Sequence, residues 1–190
     1  MKPAPERWVM FVAVTAEESG LLCSEYFAAH PPIPVAQMVA GVNMDNLYSV
    51  GQTRDMTVIG YGKSELDDDL VRAAAKQGRV PKPEPSPEKG FYYRSDHFNL
   101  AKAGVPMLYT KSGIDSPTLG AEYGKHWLAE YTAKRYHQAS DEYSPDWDVS
   151  GTLQDLQLYY DVGLGVADSS RWPNWRADSE FRAIRDDSRR

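Results

Sequence analysis

Apolar, β-branched runs that stop abruptly in polar turns and hand over to helical patterning recur along this chain, and that alternation restricts it to a sheet with helices packed against it. Trp8 to Val14 reads as a buried strand. It stops at Glu17-Glu18, and Ser19 to Phe27 then reads as the start of a helix with Leu21, Leu22 and Phe27 facing inward. Val39 to Asn46 repeats the arrangement and ends at Asp45, while further strands are expected at Met56 to Gly60 and Val105 to Thr110. Leu66 to Gln77 patterns as a helix, with Ser64 as its N-cap and Gly78 as its stop. A final helix from Thr152 to Ala167 carries Leu153, Leu156, Tyr160, Leu164 and Ala167 as its inward stripe. The expectation is one α/β domain over residues 1–190, with a mixed, largely parallel sheet and helices on both faces.

The connections are read from their turn chemistry. Val80 to Pro87 is rich in proline and reads as an extended surface connection within the domain. Lys111 to Arg135 contains Gly113, Gly120 and Gly124 and little periodicity, so it reads as an irregular stretch, either a substrate-facing flap or a surface insertion. Ser95 is a candidate cap for a helix running to Ala103. In the tail, Trp172 and Trp175 read as packing aromatics.

Composition excludes several classes of function. A net charge of -6 and 25% charged residues argue against a polyanion partner such as nucleic acid, which is held by clustered Lys and Arg. No run approaches the ~20 apolar residues of a membrane span. The single Cys23 excludes an internal disulfide framework.

The polar ends of the apolar runs are where chemistry is expected. In open α/β sheets, ligand sites lie at the carboxyl ends of the strands, which is where Glu17, Glu18 and Asp45 fall. Adjacent carboxylates repel, so a fold that holds them together has a cation, a shared proton or a division of labour; a solvated pair at a helix N-terminus is the plainer alternative. Asp45 is either a site carboxylate or an Asx turn. His137 lies in a polar loop before the last helix, and carboxylates with histidine suit zinc.

Four motifs in order make the chain similar to the zinc aminopeptidases of the aminopeptidase Y, bacterial leucyl aminopeptidase and glutamate carboxypeptidase type. They are Thr15-Ala-Glu-Glu-Ser-Gly-Leu-Leu-Cys-Ser24, Asn43-Met-Asp-Asn46, Ser95-Asp-His97 followed by Gly104-Val-Pro106, and Tyr136-His-Gln-Ala-Ser-Asp141. Cys23 replaces a usual glycine, and the last motif lacks its usual Thr-Pro. The resemblance implies a zinc-peptidase-like phosphorylase/hydrolase-type fold and a dizinc exopeptidase acting on a peptide substrate through metal-activated water. Glu17 would be the general base, Glu18 a ligand of one zinc, and Asp45 and His137 ligands of the other. Tyr93, Ser95, Asp96, His97 and Asp141 would line the pocket or support the ligands. A periplasmic or secreted location is the corresponding expectation.

The family draws two further ligands from segments upstream of the Glu-Glu strand, and only Met1 to Glu6 precede that strand here. The expectation is therefore the carboxy-terminal part of a peptidase domain with its amino-terminal part missing, weak or inactive alone, completed by an upstream peptidase segment or a second chain. A glutaminyl cyclase-like single-zinc enzyme and a non-catalytic binding module on the same fold are the alternatives.

Overall fold

The computed structural model of the protein describes residues 4–46 and 48–190. Among them the strands are β1 (Gly41–Asn43), β2 (Asp55–Ile59), β3 (Val80–Pro83) and β4 (Met107–Ser112), and the helices are α1 (Leu22–Ala29), α2 (Leu66–Lys76), α3 (His97–Lys102), α4 (Gly120–Lys134), α5 (Ser150–Ala167) and α6 (Arg182–Ser188). The strands form one sheet in the order β1-β4-β2-β3. β1 pairs parallel with β4 and β2 parallel with β3, while β2 and β4 run antiparallel. This is the mixed, largely parallel α/β sheet expected from the alternation.

Alternation along the strands gives the sheet two apolar faces. Met56, Val58 and Leu108 pack with Leu66, Leu70, Ala73 and Ala74 of α2 and Leu158, Val162 and Val166 of α5. Ile59, Met107 and Tyr109 point the other way, onto Ala101 of α3 and onto Trp175 and Phe181 of the tail. Trp175 is fully buried, and its indole N–H donates to the Gly104 carbonyl at 2.9 Å, the packing role expected of it. Trp172 is a platform for cations instead, with the Arg189 guanidinium 3.8 Å from its ring centre.

The segment 80–87 opens with a strand, contrary to its reading as a connection. The Val80 N–H donates to the Arg54 carbonyl and the Glu84 N–H to the Val58 carbonyl, at 2.9 and 3.1 Å. Pro81 and Pro83, which have no N–H, therefore fall on the outward positions of an edge strand, where no ladder bond is lost. The stretch after Lys111 is likewise more ordered than expected, since most of it is α4. The surface of α4 is largely exposed and the helix has one buried residue, Gly124. It carries little apolar periodicity for that reason. A Cβ at Gly124 would overlap the Ile114 carbonyl, so glycine here permits a close approach of helix to loop and does not break the helix.

The final helix is found, but rotated relative to its expected stripe. Its buried residues are Gly151, Asp155, Leu158, Tyr159, Val162, Val166 and Ala167, whereas Leu153 and Tyr160 are 63% and 59% exposed. Two contacts fix the rotation. Gly151 sits against the Gly51 carbonyl where no Cβ fits, and Asp155 is buried in an ion pair with Arg79 at 2.7 Å.

Trp8 to Val14 is not a strand. The segment joins no ladder among the described residues, and Trp8 and Phe11 are 98% and 87% exposed. A β-branched pattern supplies one face of a strand, but a neighbour must still take its N–H and C=O groups. The segment is anchored at its start, where Arg7 donates from its backbone N–H to the Ala167 carbonyl and from its guanidinium to the Val166 and Arg171 carbonyls. In α1, Leu22 is exposed while Leu21 and Phe27 are half-buried, because the helix docks on α3 through a polar contact, the Asn99 amide donating to Ser24 Oγ at 2.9 Å. No helix among the described residues is long and apolar enough to cross a membrane.

Candidate functional site

Glu17 and Glu18 occupy a tight turn closed by backbone bonds, with Gly20 and Leu21 N–H groups donating to the Glu17 carbonyl at 3.0 and 2.9 Å. The turn costs backbone strain. Ala16, Leu21 and His137 are the non-glycine residues with positive φ among the described residues, at 59°, 63° and 58°. Left-handed backbone is disfavoured for residues with a Cβ, and such outliers gather at functional sites. Here all of them flank or form the acid pair and the loop histidine.

The loop histidine reaches back to the acid turn, His137 Nε2 lying 2.9 Å from Glu18 Oε1. Its ring is stacked on Tyr136 with centroids 4.0 Å apart. The supporting loop is tied to α4, where the Tyr131 hydroxyl donates to Asp141 Oδ2 at 2.9 Å and Ser140 Oγ to the Lys134 carbonyl at 2.7 Å. Asp141 is therefore an anchor of the His137 loop. Tyr131 packs with Trp127 and Tyr48 and meets Tyr136 with centroids 6.0 Å apart, so aromatic contacts connect the helix to the loop.

Asp45 follows the carboxyl end of β1 and is held by hydroxyls. Ser95 Oγ donates to Asp45 Oδ2 at 3.0 Å, and the Tyr109 hydroxyl donates to the same oxygen at 2.9 Å. The Asn43 amide donates to Ser95 Oγ at 2.8 Å and completes the chain. Ser95 thus orients Asp45 and does not cap α3, whose N-cap makes no side-chain bond. Tyr109 carries no motif in the sequence and Asn43 enters only as the first residue of the Asn43-Met-Asp-Asn46 motif; both sit in apolar strand segments, and their partnership with Asp45 depends on β1 and β4 lying side by side, with Asn43 opposite Tyr109.

The electrostatic field converges on Glu17. Partial burial raises its carboxyl above the ordinary glutamate value, and the charges of Glu18, Asp45 and Asp96 raise it further, with His137 opposing them. Asp96 Oδ1 is buried and takes no hydrogen bond. His97 lies deeper: it is 2% exposed, its ring meets those of Tyr92 and Tyr109, and neither nitrogen has a partner. Burial drives its imidazole down to about 3, so it is neutral and belongs to the floor beneath the site. A surface cleft of about 350 Å³ is lined by Glu17, Glu18, Gly20, Leu21, Tyr93 and Arg94. Tyr93 also walls a neighbouring cleft, and its hydroxyl donates to Glu180 Oε1 at 2.8 Å.

The carboxylates and imidazole are donors of the type zinc takes, but their spacing does not fit an ion as they stand. Glu18 and His137 are bonded to each other, one Asp45 oxygen is taken by two hydroxyls, and among the described residues no three His, Cys, Asp or Glu side chains gather closely enough to hold a metal.

The chain belongs to peptidase family M28, whose family model matches residues 1–161 and so spans the acid turn, Asp45, the Ser-Asp-His segment and the His137 loop. No curated protein and no solved structure matches it. Membership makes this a hydrolase fold of the metallopeptidase type.

Proposed function

We propose that the cleft beside Glu17 and Glu18 is an exopeptidase site of aminopeptidase type in which Glu17 is the general base. The observation that carries this reading is the position of Glu17: it lines the cleft and lies in the field of Glu18, Asp45, Asp96 and His137. A carboxyl raised above its usual value is a stronger base when ionised, and general-base catalysis works best as the pKa approaches the working pH. Glu17 would take a proton from the attacking water and return it to the leaving amine. Strain in the turn bearing it supports the reading, because a preorganised base needs no rearrangement at the moment of reaction.

Glu18, Asp45 and His137 are the metal-ligating candidates of this reading, with zinc the cofactor expected from the family. The Glu18–His137 contact would have to open before either could serve. Turnover by the chain alone is accordingly expected to be slow. The test is hydrolysis of free and N-acetylated aminoacyl anilides by the purified chain with zinc supplied. Slow cleavage confined to the free-amino substrate supports an aminopeptidase. Absence of cleavage, or equal cleavage of the acetylated substrate, rejects it.

A further inference from the structure

Arg94 is the cation of the cleft. Among the lining residues Glu17 and Glu18 are acidic, Gly20, Leu21 and Tyr93 carry no charge and Arg94 is the basic one, while His137 contacts Glu18 at 2.9 Å and Lys63 Nζ lies 3.4 Å from the Tyr93 hydroxyl, outside the lining. The Arg94 side chain is exposed, and among the described residues it makes no ion pair. Yet its backbone is held firmly on both sides. It ends the turn Phe91–Arg94, between Tyr92, buried at 3%, and Ser95, also buried at 3% and bonded to Asn43 and Asp45. An arginine fixed at its base, free at its tip and facing a cleft is suited to a carboxylate, which its planar fork binds through two parallel N–H donors.

The charge pattern specifies the ligand further. Carboxylates on one part of the wall and a guanidinium on another match a molecule with an amino group and a carboxylate close together. We propose that Arg94 binds the carboxylate of short zwitterionic ligands, dipeptides as substrates and free amino acids as products, with the ligand's amino group toward Glu17 and Glu18. This rests on the reading of the cleft as a peptidase site and adds to it a preference for substrates that end one residue beyond the scissile bond.

Calorimetric binding of leucine and leucinamide to the wild-type chain, Arg94→Gln and Arg94→Lys isolates the carboxylate. Charge-assisted hydrogen bonds are the strong ones, so leucine is expected to bind about tenfold or more tightly than leucinamide. The preference should vanish in Arg94→Gln and survive in part in Arg94→Lys, a point charge without the fork. Equal affinity for the two ligands in the wild-type chain, or a preference unchanged in Arg94→Gln, overturns the proposal. Hydrolysis of Leu-Gly and Leu-Gly-amide, measured alongside, separates the two claims. An Arg94-dependent leucine preference without hydrolysis leaves the carboxylate site standing and removes the peptidase reading. Hydrolysis of both substrates at equal rates, unaffected by Arg94→Gln, does the reverse. Because Arg94 is exposed, thermal melts of the variants should match the wild type.

Discussion

Replacing Asp155 by leucine should destabilise the protein as much as a large core truncation. Arg79 and Asp155 are each 1% exposed at the side chain and lie 2.7 Å apart. Asp155 also accepts from Ser112 Oγ at 2.6 Å, and Arg79 Nη2 donates to Thr53 Oγ1 at 3.0 Å and to the Asp55 carbonyl at 2.9 Å. Leucine fills the volume but leaves the guanidinium buried without its anion, a loss of about 3–5 kcal/mol. For a chain of this size each kcal/mol corresponds to roughly 2–4 °C, so the midpoint should fall by about 6–20 °C. Urea unfolding followed by circular dichroism measures the free energy directly, and an unchanged slope would place the loss in the native state. The double variant Arg79→Met with Asp155→Leu removes both charges and should recover at least half of the loss, since a buried pair is costly chiefly when broken. A loss below about 1 kcal/mol for Asp155→Leu, or strict additivity in the double variant, would refute the assignment of this pair as the lock between α5 and the sheet.

Burial raises the Asp67 carboxyl to about 6, against a hydrogen bond from the Gly62 N–H that favours its ionised form. A carboxyl raised in the folded state stabilises the fold fully below its unfolded value near 3.8 and loses that contribution as pH rises through about 6. Asp67→Asn should therefore raise the melting temperature at pH 8 and leave it nearly unchanged at pH 4; melts at the two values decide it. Gly124→Val forces a Cβ into the Ile114 carbonyl and should displace α4 at a cost of about 1–3 kcal/mol. Because Tyr131 and Asp141 link α4 to the His137 loop, the His137 ring resonances should shift in the same variant, while those of buried His97 stay in place.

The sheet was largely legible because β2 and β4 are short apolar runs with turn signals at both ends, and α2 has a clear amphipathic pattern. Trp8 to Val14 misled for the opposite reason: its pattern is that of a strand, but a strand exists only with a neighbour, and that information is non-local. Pro81 and Pro83 suggested a connection until the register placed them on an outer edge. In α5 both faces carry apolar residues, so periodicity alone could not choose between the stripe of Leu153 and Tyr160 and the one of Leu158 and Val162; the buried Arg79–Asp155 pair made that choice. At the site, the sequence pointed to the acid turn, Asp45 and the His137 loop, which the fold places in one electrostatic neighbourhood. The hydroxyls of Ser95 and Tyr109 on Asp45, and the free guanidinium of Arg94, became visible only through tertiary placement.

The central claim is that Glu17 is the base of a peptidase site, and the most direct measurement is the steady-state hydrolysis of a free aminoacyl anilide, with zinc supplied, by the wild-type chain and Glu17→Gln. The account predicts that kcat falls by about 10²–10⁴ while KM and the melting temperature stay close to the wild-type values. Hydrolysis undiminished in Glu17→Gln would contradict it.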